Sequence, residues 1–133
     1  MATIVEARLT ISRDAVKKTV IPTVTCRVQF NSAELAFMQA NPSATLFRLR
    51  CQLWGADSGL TGSDDFLYTY PSLKLFPDGT ITQVESVKFQ SEIGEGVLNE
   101  DVGGDEIYGL LRLTNMLSGG VISKKTNEVS GSF

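Results

Sequence analysis

The acidic residues of this chain of 133 residues are unevenly distributed, and their arrangement suggests a metal site. Nine of the fifteen Asp and Glu residues lie in two windows, residues 57–65 and 92–106, and neither window contains Lys or Arg. Each window passes from an apolar stretch through an aspartate and a glycine-bearing segment to two consecutive acidic residues. The windows therefore look like two versions of one acidic loop.

Carboxylates gathered from both windows would need a cation, bound protons or intervening water. Two carboxylates about 5 Å apart repel by roughly 3 kcal/mol at an effective dielectric constant of about 20. Calcium relieves such repulsion, because it takes about six to eight oxygen ligands in a flexible shell. The chain has no histidine, which disfavours softer metals. The predicted calcium ligands are Asp57, Asp64, Asp65, Asp101, Asp105 and Glu106.

The segment from Trp54 to Tyr68 resembles the calcium-binding loop of C2 domains. It carries Asp57 after an apolar strand and the run Asp64-Asp65-Phe66-Leu67 before the next one. The resemblance implies a β-sandwich that binds calcium between loops at one end and that can contact lipid through them. The chain departs from the family at Gly55, where these loops usually carry the first of two aspartates separated by one residue.

Composition excludes several other functions. Without histidine the chain lacks the usual general base and the usual partner of a nucleophilic Ser or Cys, so we predict that it is not an enzyme. A net charge of -3 opposes binding to nucleic acid, which clustered Lys and Arg would drive. The two cysteines, Cys26 and Cys51, lie in alternating apolar stretches and are predicted to be buried thiols.

The elements that must position these loops are predicted from the apolar periodicity. A capping box at Asn31 and Glu34 predicts one short helix, and Pro77-Asp78-Gly79 predicts the turn of a hairpin. The spacing of Ile81, Val84, Val87 and Phe89 suggests a bulged strand. We predict an all-β fold, an antiparallel β-sandwich of seven or eight strands with one short helix. Strands are predicted within 3–11, 20–30, 45–54, 66–70, 73–76, 80–90, 106–114 and 121–122.

The predicted domain organisation is one β-sandwich over residues 1–122 and a flexible C-terminal tail over residues 123–133. The longest apolar run has four residues, Leu35 to Met38, whereas a membrane-spanning helix needs about 20. We therefore predict a cytoplasmic protein without a transmembrane segment.

The functional prediction is a non-enzymatic binding module with a calcium site formed by the two acidic loops. Its partner would be another protein or a second copy of the chain, and contact with a membrane through the same rim stays open. The alternative is a structural, self-assembling β-sandwich without metal, in which the acidic residues serve turns and solubility. A two-carboxylate enzyme such as a glycosidase ranks last, because such sites usually lie in an aromatic cleft and the chain has one tryptophan.

Overall fold

The computed structural model describes residues 1–56, 64–79, 81–98 and 105–131, and it confirms the predicted antiparallel β-sandwich with one short helix. A single turn of 3-10 helix also spans Glu95–Val97. The elements in chain order are β1 (Thr3–Asp14), β2 (Thr19–Gln29), α1 (Ser32–Ala40), β3 (Phe47–Ala56), β4 (Asp65–Thr69), β5 (Lys74–Phe76), β6 (Val84–Gln90), β7 (Ile93–Gly94), β8 (Asp105–Asn115), β9 (Val121–Lys125) and β10 (Val129–Gly131).

The strands form two sheets, each built around long central strands. In the first sheet β2 lies between β1 and β6, and the short β7 pairs with the beginning of β2. In the second sheet β3 and β8 pair without interruption from Phe47 opposite Asn115 to Ala56 opposite Glu106. Strands β4 and β5 share the other side of β3, while β9 and β10 share the other side of β8. The central pair β3–β8 thus brings the end of β3, which precedes the first acidic window, beside Glu106, the last residue of the second window.

The core lies between the two sheets and follows the predicted alternation. Leu49, Cys51 and Leu53 of β3 are buried, as are Val24 and Cys26 of β2. Both cysteines are free thiols. Burial raises the pKa of the Cys26 thiol to about 11, so the group stays protonated and unreactive at neutral pH. The residues between the buried positions of β3 form the outer row Arg48, Arg50, Gln52 and Trp54.

Helix α1 begins with the predicted capping box. The Asn31 side chain accepts a hydrogen bond from the backbone N–H of Glu34 (2.8 Å), and the Glu34 carboxylate accepts one from the backbone N–H of Asn31 (2.9 Å). The same carboxylate also accepts from the N–H of Ala2 (3.0 Å), which ties the helix to the chain just before β1. No helix in the described ranges has the length and apolar character that crossing a membrane requires.

Two local predictions within the sheets are wrong. Gly79 does adopt a positive φ of 65°, but the turn at Pro77 does not join a hairpin, because β5 pairs with β3 and β6 pairs with β2 of the other sheet. Strand β6 is also straight, with no register shift against β2. Ile81 is buried but lies before β6 begins. Counting it as part of the strand produced the apparent period of three.

The C-terminal segment is structured where a flexible tail was predicted. Strand β9 continues to Lys125, past the predicted boundary at residue 122, and β10 pairs with the start of β8. Between them the Thr126 hydroxyl accepts a hydrogen bond from the N–H of Gly109 (2.7 Å). Hydrogen bonds and strand pairing hold this polar segment in place. Because the segment has few apolar residues, apolar periodicity gave no indication of its strands.

Candidate functional site

The register of the second sheet brings the borders of the two acidic windows together. Gly55, near the end of β3, lies opposite Asp65 of β4 on one side and Ile107 of β8 on the other. Ala56 lies opposite Glu106. The first window follows β3 and runs into β4, and the second runs into β8, so both border the same end of this sheet. We call this region the acidic end and define its described members as Asp64, Asp65, Glu106 and Glu128.

The structure describes part of the predicted ligand set. The side chains of Asp64, Asp65 and Glu106 are described: Asp64 is half-buried and the other two are exposed. Asp105 begins β8, but its side chain lies outside the described residues. Asp57 and Asp101 also lie outside them. The predicted ligands therefore stay a prediction, with four of them, Asp64, Asp65, Asp105 and Glu106, on strands or strand borders at one end of the sheet.

Asp64 is anchored to the central strand β8. The Tyr108 hydroxyl donates a hydrogen bond of 2.6 Å to the Asp64 carboxylate. The ammonium group of Lys125 lies 3.9 Å from the same carboxylate and 4.7 Å from the centre of the Tyr108 ring. Burial, followed by the hydrogen bond to Asp64, raises the pKa of Tyr108 to about 12. This phenol is consequently a fixed donor at neutral pH, and it positions the border of the first window.

Negative charge is crowded beside this anchor. The pKa of Glu128 is raised, and the largest cause is a hydrogen bond with the side chain of Glu106. Burial and the negative charges of Glu106 and Asp64 raise it further, while Lys125 opposes the shift. A raised carboxyl pKa is the response expected where carboxylates approach one another.

Sequence reasoning missed Glu128, because it lies in the segment predicted as a tail. The pairing of Val129 with Ile107 brings it beside Glu106. The only signal in the sequence is the acidic residue itself, and no periodicity marks β10, the strand that follows it.

The donors at the acidic end fit a hard cation. They are carboxylate oxygens, which calcium and magnesium prefer, and no described Cys lies among them. Within the described ranges, no three His, Cys, Asp or Glu side chains are close enough together to hold a metal ion. A calcium ion would therefore draw further ligands from the remainder of the two windows.

Trp54, Phe66 and Tyr108 form an aromatic row beside the acidic end, on the outer face of the second sheet. Trp54 lies opposite Tyr108, and its ring packs edge-on against Phe66, with ring centres 5.7 Å apart. The Trp54 indole N–H donates to the Gln52 side chain (3.1 Å), which fixes the indole. Phe66 is 48% exposed. An exposed aromatic ring on a rigid strand is a suitable contact for a partner.

Comparison with models of known protein families and with curated proteins finds no match to this chain.

Proposed function

We propose that this protein is a non-enzymatic β-sandwich binding module that binds calcium at its acidic end. The observation that supports this proposal most is the register of β3, which places Asp65 and Glu106 on the two flanking strands at one end of the sheet. The resemblance of residues 54–68 to the loops of C2 domains favours the same cation. Phe66, exposed beside the acidic end, would contact a protein partner.

The crowding of carboxyl groups supports a cation in particular. The pKa of Glu128 is raised by its hydrogen bond with Glu106 and by the negative charges of Glu106 and Asp64, and a divalent cation would offset this repulsion. Asp64 is already held by Tyr108 and Lys125, so we assign it the role of fixing the start of β4. The remaining predicted ligands, Asp57, Asp65, Asp101, Asp105 and Glu106, would supply the carboxylates.

Thermal unfolding in calcium and in chelator tests the proposal. Calcium at 100 times its dissociation constant adds about 2.7 kcal/mol to the free energy of unfolding of the native state. For a domain of this size that corresponds to a rise in Tm of roughly 10 °C. We expect the rise to disappear in the double variant D65N/D101N.

The matched control is D78N. Asp78 follows β5, which pairs with the beginning of β3, so this variant removes an aspartate charge at the end of the sheet opposite the acidic end. This variant should retain the full response to calcium. A Tm that is the same in calcium, magnesium, manganese and chelator, at millimolar metal, would contradict the proposal, as would an equal loss of response in D78N.

One observation favours the second candidate, a self-assembling β-sandwich without metal. Strand β6 pairs only with β2 in the described part of the chain, so its other edge is available to a strand from a second copy. Val84, at its beginning, is 40% exposed. Light scattering distinguishes the candidates: an oligomer that persists in chelator and dissociates in S86P supports assembly through β6, and a monomer excludes it.

A further inference from the structure

We propose that the outer face of the second sheet carries a separate site that binds a phosphate group through Arg48, Arg50 and Arg112. The proposal is independent of the calcium site. Arg48 and Arg50 belong to the outer row of β3, and Arg112 to the outer row of β8. Along β8, Arg112 lies four residues beyond Tyr108, on the side away from the acidic end.

The strand register holds these arginines together. Arg50 lies directly opposite Arg112, and such a pair of like charges destabilises a sheet unless an anion lies between them. Arg48 lies opposite Leu75 on one side and Thr114 on the other, so its neighbours cover the stem of the side chain. The site is thus built on the central strands, where the backbone is rigid.

No acidic side chain among the described residues forms an ion pair with these three arginines. The described ion pairs use Arg13, Arg27, Lys74 and Lys125, and none involves the three arginines. The Nε atom of Arg48 is buried and has no hydrogen-bond acceptor among the described residues. A buried guanidinium N–H without an acceptor is costly, because it has lost its water. An anion bound in the cavity that Arg48 lines would supply acceptors to this guanidinium once the side chain turns toward it.

The cavity between these side chains sets the size and chemistry of the ligand. It has a volume of about 160 Å³, well below the roughly 300 Å³ at which pockets for drug-sized molecules begin. Guanidinium groups bind phosphate oxygens in pairs, and three of them match the double charge of phosphate better than the single charge of a carboxylate. Gln52 and Thr114 add neutral polar groups, while Leu110 and Val121 line the apolar part.

Isothermal titration calorimetry with inorganic phosphate tests the site. The titration uses the full chain in calcium-free buffer, at constant ionic strength maintained with chloride. We expect saturable binding that weakens by about tenfold or more in R112Q and in R48Q, because each variant removes a charged hydrogen-bond donor. A second titration with phosphoserine distinguishes the source of the phosphate group. If phosphoserine binds more tightly than inorganic phosphate, the natural ligand is a phosphate ester, and if it binds more weakly, the ligand is the free ion.

The control is R8Q, which removes an exposed arginine of β1 on the other sheet. It should bind phosphate as the unaltered chain does. A second readout is the Tm in phosphate-free buffer, which should rise in R112Q because the repulsion from Arg50 is removed. Absence of saturable binding of both phosphate and phosphoserine, or equal weakening in R8Q and R112Q, would overturn the proposal.

Discussion

At the scale of single residues, Tyr108 links the first acidic window to the sheet. Its hydroxyl donates to Asp64, its ring lies under the ammonium group of Lys125, and its strand partner is Trp54. The ring is buried although it belongs to the outer face. One side chain thereby joins the charged groups of the acidic end to the aromatic row.

Replacing Tyr108 by Phe removes the hydrogen bond and retains the ring. We expect Y108F to lower the free energy of unfolding by about 1–2 kcal/mol, since a bond to a charged acceptor is lost at a partly exposed site. Urea denaturation measures the effect. Y68F is the control, because the Tyr68 hydroxyl has no hydrogen-bond partner among the described residues. Equal losses in both variants would mean that the bond to Asp64 contributes nothing specific.

The contribution of Tyr108 depends on pH in a defined direction. Its pKa of about 12 in the folded protein exceeds the value of about 10 for an unfolded tyrosine. The stabilisation is fully present below pH of about 10 and is lost as the pH rises through about 12. The difference in stability between the unaltered chain and Y108F should therefore shrink over this range, in urea denaturation at several pH values. A constant difference would contradict the assignment.

At the scale of elements, the C-terminal segment closes the edge of the first sheet. Strand β1 is an edge strand, and the Asn127 side chain bridges its Leu9 backbone. The amide oxygen accepts from the Leu9 N–H (2.8 Å), and the amide nitrogen donates to the Leu9 carbonyl (3.1 Å). A side-chain amide thus takes the place of a neighbouring strand and connects the two sheets.

Removing this amide should weaken the attachment between the sheets. We expect N127L to lower the free energy of unfolding by about 1–2 kcal/mol, because the N–H and carbonyl of the buried Leu9 lose their partner. Q83L provides a matched exchange at an exposed residue with no side-chain hydrogen bond in the described ranges, and it should be close to neutral. Guanidinium denaturation measures both. A neutral N127L would show that water replaces the bridge.

Gly109 permits the close approach of β8 to the first sheet. A Cβ atom at this position would lie 3.0 Å from Cγ2 of Val24 and 3.1 Å from Cγ2 of Thr126. Both neighbours are β-branched residues with restricted rotamers, so they cannot easily move away. The absence of a side chain at residue 109 is therefore a packing requirement.

We expect G109A to lower the free energy of unfolding by about 1–3 kcal/mol through overpacking. The double variant G109A/V24A should lose less than the sum of the two single losses, because the smaller side chain makes room for the new methyl group. G96A is the control, since a Cβ there meets no atom within 4 Å. Thermal unfolding of the four variants measures the coupling. Additive effects of G109A and V24A would contradict the clash.

At the scale of the whole molecule, periodicity predicted the sandwich because each long strand buries alternate residues, as Leu49, Cys51 and Leu53 do. Strand pairing was harder to predict from the sequence, because β5 and β6 flank one turn but join different sheets. The extension of β9 beyond residue 122, strand β10 and Glu128 escaped prediction, because hydrogen bonds hold them and apolar residues do not. The arrangement of the arginines also depends on pairing, since only the register of β3 against β8 places Arg50 beside Arg112.

The most direct test of the calcium proposal is a titration followed by backbone amide NMR signals. Calcium should produce saturable shifts at the ends of the three strands that border the acidic windows, at Gly55, Asp65 and Ile107. Phe47 and Asn115, paired at the opposite end of the central strands, should not respond. Unchanged spectra at millimolar calcium, or shifts of equal size at both ends, would contradict a calcium site at the acidic end.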